Sequence, residues 1–376
     1  MKIPWKFILT HVLVLRALTL VAAIVGLYAL PFKPSFPYAD VALEPYGSSL
    51  FWSWANFDGV HYLRLAQDGY IYGLTQAFFP LYMLLIRLFS YILVNKLFVA
   101  LLISHICFVL ALGMFYKLLR LDYSKKIAKW SLVFLIYFPT SFYFLSAYTE
   151  SLFLLLLLSS FYFLRTKDYA KMGIGGIAVT LTRITGIFIV PAFFYELWEK
   201  VKSKSLSQKL ILVWTLVPSL GLLAYMYFLQ SKFGDALLFA HVQEGFGAGR
   251  ETDKFVLLYQ VLWRYIRMIF TVEKHSWLYF TIWLEFLSSL SFIGLLIWGY
   301  IKKIRLSYLI FASLSLLLPT LTGTFSSMPR YVLMLFPGFI VLGMVKNKAI
   351  KYGLLGLFAV LLLLCTALFT RGYWVA

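Results

Sequence analysis

Apolar residues run along this chain in long unbroken blocks, and polar residues collect in short islands between them. Windows of about 20 apolar residues at 8–30, 97–116, 210–229, 277–300 and 352–369 match the length of a membrane-spanning helix. The runs are continuous rather than alternating, which predicts helices and argues against a β-barrel. Extending the pattern gives about eleven spans, near 8–30, 97–119, 129–147, 150–165, 171–182, 184–198, 210–230, 277–300, 306–323, 331–345 and 351–370. Two stretches resist a simple count. Residues 77–93 are apolar but carry Arg87 in their middle, so a re-entrant or interfacial segment is expected there. Residues 172–198 are interrupted at Arg183, and two short helices meeting at that residue fit better than one tilted span.

Composition supports this reading. Of 376 residues, 62% are hydrophobic and only 13% charged, against about 25% charged in soluble domains. The first apolar segment follows Met1-Lys2-Ile3-Pro4-Trp5-Lys6. It is too long for a signal-peptide core and lacks a small-residue cleavage site, so a retained helix is expected. Cys107 and Cys365 both fall in predicted spans and imply no disulfide framework. The net charge of +19 invites a nucleic-acid reading, but its distribution excludes one. Twenty of 34 basic residues lie at the N-terminus or in five clusters, 117–129, 165–171, 200–209, 302–305 and 346–351, each joining two apolar segments. That is the positive-inside pattern.

The expected topology is a multi-pass cell-membrane protein with a cytoplasmic N-terminus. Its large first outer loop is 31–96, and a second outer region covers 231–276. The run Trp263-Arg264-Tyr265-Ile266-Arg267 in that second region reads as an amphipathic interfacial helix. With no internal repeat or low-complexity segment, residues 1–376 form one all-α integral membrane domain.

This topology places Asp58, His61, Arg64, Glu150, Arg183, His241, Glu244 and Arg330 on the outer side, where they could converge. Charge near a bilayer is costly, so each is a functional candidate. The densest island is 56–70, which puts Asp58, His61 and Arg64 within seven residues. Asp58 and His61 share a helix face, a carboxylate and an imidazole able to take a proton from a hydroxyl. The structural alternative is that Asp58 caps a helix ending before Gly69. Glu150, after Thr149, either opens the next helix or serves as a site carboxylate. Arg183 and Arg330 suit a phosphate, or an ion pair with an outer carboxylate. His241 and Glu244 are too few to argue a metal and fit a solvated surface. No Walker A, Rossmann or zincin pattern is present.

Several motifs together resemble the PIG-V-like mannosyltransferases. They are Phe57-Asp58 through His61, Ala66 and Gly69-Tyr70, then Ala77-Phe78-Phe79-Pro80-Leu81-Tyr82, Ala147-Tyr148-Thr149-Glu150-Ser151, Leu181-Thr182-Arg183-Ile184-Thr185-Gly186, and Arg330-Tyr331 with Phe336-Pro337. The family usually has Trp-Asp where this chain has Phe57-Asp58, and often an acidic residue before Ala77, where 72–76 has none. The resemblance implies a GT-C-type fold. It also implies transfer of a hexose, mannose above all, from a polyprenyl-phosphate donor to a glycan, lipid or protein hydroxyl on the extracytoplasmic side. Asp58 would be the base, His61 and Glu150 its catalytic neighbours. Arg64, Arg183, Arg330, Tyr331 and His241 would contact substrate. The resemblance fixes no cofactor and leaves a divalent metal, magnesium or manganese, open. The rival classes are a lipid-linked sugar transporter or flippase and a non-catalytic membrane assembly partner.

Overall fold

A computed structural model describes residues 2–33, 39–205, 209–247, 249–250 and 256–376 of the chain. Parts of both outer regions (34–38, 248, 251–255) and of the 200–209 basic cluster (206–208) lie outside the described residues. The described chain is all-helical.

Four helices are long and apolar enough to cross a membrane: α1 (Trp5–Ala29), α4 (Lys96–Leu119), α11 (Trp277–Ile301) and α14 (Lys348–Thr370). Between α1 and α4 lie α2 (Asp58–Asp68) and α3 (Pro80–Leu93). Then follow α5 (Lys125–Ile136), α6 (Glu150–Arg165), α7 (Tyr169–Thr180), α8 (Ile189–Val201) and α9 (Ser219–Phe233). The remaining helices are α10 (Leu258–Thr271), α12 (Leu306–Thr320) and α13 (Phe336–Met344). The molecule is an integral membrane protein. The other expected spans form helices of 9 to 16 residues, several entered or left through 3-10 turns such as Ser141–Leu145 and Leu210–Thr215.

Helix α6 is central, packed between α4 and α7, while α1 lies along α14 and α5 along α13. The close approach of α1 and α14 depends on Gly26, where an added Cβ would sit 3.1 Å from the Ala367 carbonyl oxygen. Aromatic rings fill the interior. Phe138 meets Phe292, Phe339 and Phe358, and Phe161 meets Phe193, Tyr308 and Phe336.

The break expected at Arg183 is present, and residues 80–93 form a separate short helix. Helix α3 has 14 residues, short of a span. Its Arg87 is not left in lipid: Nε donates to the Ala66 carbonyl at 2.7 Å and Nη2 to those of Leu65 and Gln67. The guanidinium thus serves the carbonyls at the end of α2, of which Leu65's also accepts from Gly69 N–H. Arg183 falls in the break between α7 and the 3-10 turn Ile184–Phe188 that leads into α8. The amphipathic segment is α10, with Val261, Tyr265 and Ile269 buried and Tyr259, Trp263 and Phe270 exposed along the opposite face.

The basic clusters meet at one end of the bundle. Asp122 is held by Arg165 (2.5 and 2.9 Å) and by Arg305 (both bonds 3.0 Å). Glu196 takes Arg305, Lys200 and the Ser307 hydroxyl. At the same end Lys129 lies over Phe7 and Lys351 over Trp130. The sequence suggested no carboxylate set on this side; Asp122 and Glu196 provide one, and it is closed on itself by the arginines.

Candidate active site

Glu150 and Arg165 are the first and last residues of α6, so the basic end and the Glu150 end lie on the order of 22 Å apart. Four charges alternate in a chain at the Glu150 end. Asp58 Oδ2 accepts from Arg330 Nη1 at 2.5 Å, Arg330 Nε lies 3.6 Å from Glu150 Oε1, and that same oxygen accepts from Arg183 Nη1 at 2.6 Å. The middle of the chain is sealed, with Glu150 1% and Arg330 6% exposed, while its two ends open outward, Asp58 at 21% and Arg183 at 15%.

Local structure explains each position. Asp58 is the first residue of α2 and not its cap. Phe57 holds the cap position with φ 59°, makes no side-chain cap bond, and leaves the Asp58 carboxylate to turn toward Arg330. A left-handed non-glycine residue stores strain, often next to functional groups. Gly59 lets α2 approach the segment before α6: an added Cβ would lie 3.0 Å from the Ala55 Cβ and 3.4 Å from the Ala147 carbonyl. The same contact is tied by Ala147 N–H to the Trp54 carbonyl (2.9 Å) and Tyr148 OH to the Asn56 carbonyl (2.6 Å). Thr149 stands at the N-cap of α6 without capping it, and its hydroxyl accepts from Tyr62 at 3.5 Å.

Aromatic rings wrap the cations. Tyr331 lies between the two guanidiniums, 5.2 Å from Arg183 and 5.4 Å from Arg330, while Tyr143 and Tyr148 face Arg330 from other sides. Burial alone would raise the Asp58 carboxyl. The charge and hydrogen bond of Arg330, with weaker help from His61 and Arg250, hold it below the ordinary carboxylate value. His61 stacks on Phe78 at 4.9 Å, and burial lowers its proton affinity despite the pull of Asp58. Three buried polar atoms of this region, Glu150 Oε2, Arg330 Nε and Ser327 Oγ, have no hydrogen-bond partner among the described residues.

The structure therefore brings together Asp58, His61, Glu150, Arg183, Arg330 and Tyr331. Arg64 is on the same helix as Asp58 and lies over the Tyr72 ring at 5.2 Å. His241 is apart from the chain of charges: it is 58% exposed and pairs with Asp235 at 2.7 Å. Glu244 is exposed on the same surface. Two residues escaped the sequence reading. Arg250 acts electrostatically on Asp58 and Tyr331. Glu285 is the sole charge in the apolar run of α11, a signal that a search for intramembrane carboxylates would have caught. No three His, Cys, Asp or Glu side chains gather among the described residues, and Asp58 and Glu150 already share Arg330.

Fold and site together define an integral membrane protein with a buried acid–arginine site. The family model for mannosyltransferase (PIG-V) matches residues 7–233, more than half of the chain, and the chain belongs to that family of enzymes. The match takes in Asp58, His61, Glu150 and Arg183. The motifs around Arg330-Tyr331 and Phe336-Pro337 lie beyond it. A search of curated proteins gave no match.

Proposed function

We propose that this mannosyltransferase takes mannose from a polyprenyl-phosphate donor and transfers it, with inversion, to a hydroxyl acceptor on the extracytoplasmic side. The observation that carries the reading is the chain Asp58–Arg330–Glu150–Arg183, open at both ends, with three of its four members inside the matched range. Convergence of the basic clusters at the far end of α6 supports a cytoplasmic N-terminus and an outer site. The larger span count stays part of this proposal, with paired short helices completing crossings.

The donor phosphate competes with carboxylates for Arg330 and Arg183, since a guanidinium binds either in the same planar geometry. Drawing Arg330 toward phosphate releases Asp58 from the partner that suppresses its basicity. Asp58 then takes the proton of the acceptor hydroxyl as its oxygen attacks the anomeric carbon opposite the phosphate. The carbon–oxygen bond to phosphate breaks, and its electron pair leaves with the lipid phosphate, stabilised by the two arginines. As the arginines turn to the phosphate they uncover Glu150 Oε2, which has no partner among the described residues and accepts from a sugar hydroxyl, and His61 orients the acceptor. No metal step is needed in this scheme.

The second charge layer around Asp122 gives the transporter reading a specific observation of its own. A carrier would use both layers in turn. The test is purified protein in detergent with radiolabelled polyprenyl-phosphate mannose, alongside Asp58→Asn. Asp58-dependent release of lipid phosphate supports transfer. Movement of intact donor across vesicles without turnover supports the carrier and overturns the proposal.

A further inference from the structure

We propose that Glu285 and Tyr265 are the positioning pair for Arg330, fixing the segment from which that arginine reaches Asp58 and Glu150. The inference rests on the reading of Arg330 as the contact for the donor phosphate. Both residues lie outside the family-matched region.

Glu285 sits within α11, 5% exposed, in a helix otherwise free of charge. Such a carboxylate is costly in a membrane span and needs a reason. Its partners are the donors of one short segment and of the helix beside it. Oε2 accepts from Tyr265 OH at 2.5 Å, and Oε1 accepts from the Ser327 backbone N–H at 3.3 Å. The Trp374 side chain adds a hydrogen bond to the same carboxylate, and Arg250 acts on it electrostatically.

Tyr265 extends the grip. Its oxygen accepts from Phe325 N–H at 3.2 Å and lies 3.2 Å from the Thr324 hydroxyl, which in turn accepts from Ser326 N–H at 3.0 Å. One residue away on α10, Arg264 donates to the Gly323 carbonyl at 2.6 Å. Every residue from Gly323 to Ser327 is thus held by, or one bond removed from, α10 and Glu285.

The grip ends on the residue that matters. Ser327 has φ 66°, a left-handed conformation that a serine does not adopt without restraint. Its N–H is taken by Glu285. Its carbonyl accepts from both Arg330 N–H and Tyr331 N–H at 3.0 Å, closing the turn Met328–Tyr331. One residue, Ser327, therefore connects the buried carboxylate to the backbone of the arginine. Geometry at a reacting centre is set by such supporting contacts, and a small displacement there costs rate.

The experiment uses the full chain in detergent, with radiolabelled polyprenyl-phosphate mannose and release of lipid phosphate as the readout. The variants are Glu285→Ala, Glu285→Gln, Tyr265→Phe, Arg330→Lys and the double variant Glu285→Ala with Arg330→Lys. Glu285→Ala is expected to lower kcat/KM by about 100-fold, and Glu285→Gln, which keeps one acceptor oxygen, to recover to within about tenfold of the unchanged protein. In the Arg330→Lys background Glu285→Ala should cost less than about threefold, because a residue acting through Arg330 has little left to position. A merely structural carboxylate would cost the same factor in both backgrounds, and that result overturns the proposal. So does a well-folded Glu285→Ala protein of undiminished activity. Should Glu285→Ala aggregate, Tyr265→Phe carries the same comparison. If Arg330→Lys is itself fully active, the phosphate reading of Arg330 fails first. If Arg330→Lys is inactive while Glu285→Ala and Tyr265→Phe are normal, only the positioning inference fails.

Discussion

Asp58 and Arg330 stand 272 residues apart in the chain and 2.5 Å apart in the fold. Their pairing closes the start of α2 onto the segment before α13. A carboxylate so held is ionised but weakly basic. Asp58→Asn is expected to reduce release of lipid phosphate by at least about 100-fold, in the range of a lost general base. The variant should remain monodisperse by size exclusion, because Arg330 keeps Glu150. Activity within threefold of the unchanged protein would assign the base elsewhere.

Glu150 serves two arginines at once. Removing it in Glu150→Ala leaves Arg330 with Asp58 alone and takes from Arg183 its carboxylate partner, and breaking a buried pair in this way costs about 3–5 kcal/mol. A lower thermal unfolding midpoint in detergent is expected, with Glu150→Gln intermediate. Equal midpoints for the three proteins would mean that the chain of charges contributes little to folding.

Much of this arrangement could be anticipated from local pattern. The break at Arg183 and the short amphipathic α3 followed from single charges inside apolar runs. The four members of the charge chain were each suspect for the same reason. The pairing could not be read, since nothing local links position 58 to position 330. The alternative reading of Asp58 as a cap is not met, because Phe57, with φ 59° and its ring against Phe369 and Trp374, holds the cap position. Several spans read as continuous came out shorter because a hydropathy window averages over 3-10 turns. Glu285 was hidden by the strength of the apolar signal around it.

Gly59 allows a close approach rather than a turn. Gly59→Ala places a methyl group against Ala55 and the Ala147 carbonyl, an overpacking worth about 1–3 kcal/mol. Both the unfolding midpoint and kcat should fall, because α2 moves and carries Asp58 with it. A drop in stability with kcat unchanged would separate the packing from the chemistry.

The Asp122 cluster should respond to acid. Burial would raise this carboxyl, but Arg165 and Arg305 hold it down at about 2. A group whose folded value is depressed stabilises fully above its ordinary value, about 4, and loses that contribution as pH falls toward 2. The unfolding midpoint is expected to decline over that window, and the Asp122-dependent part of the decline to vanish in Asp122→Asn. Identical pH profiles for the two proteins would contradict the assignment.

His241 belongs to the surface. Paired with Asp235 and exposed, it should tolerate His241→Ala with activity within about twofold, as surface positions do. A larger loss in donor KM would bring the second outer region into the substrate path.

The length of α6 has a consequence for the lipid around the protein. Its two backbone ends cannot be separated along the membrane normal by more than about 22 Å, whatever its tilt, whereas an undisturbed bilayer offers about 30 Å of hydrocarbon. The backbone ends of α6 therefore lie closer together than the two headgroup layers of a flat membrane. Either the leaflets pinch toward each other at the protein, or one end of the helix is sunk below the surface. For the lipid-linked donor proposed above, activity is then expected to vary with bilayer thickness.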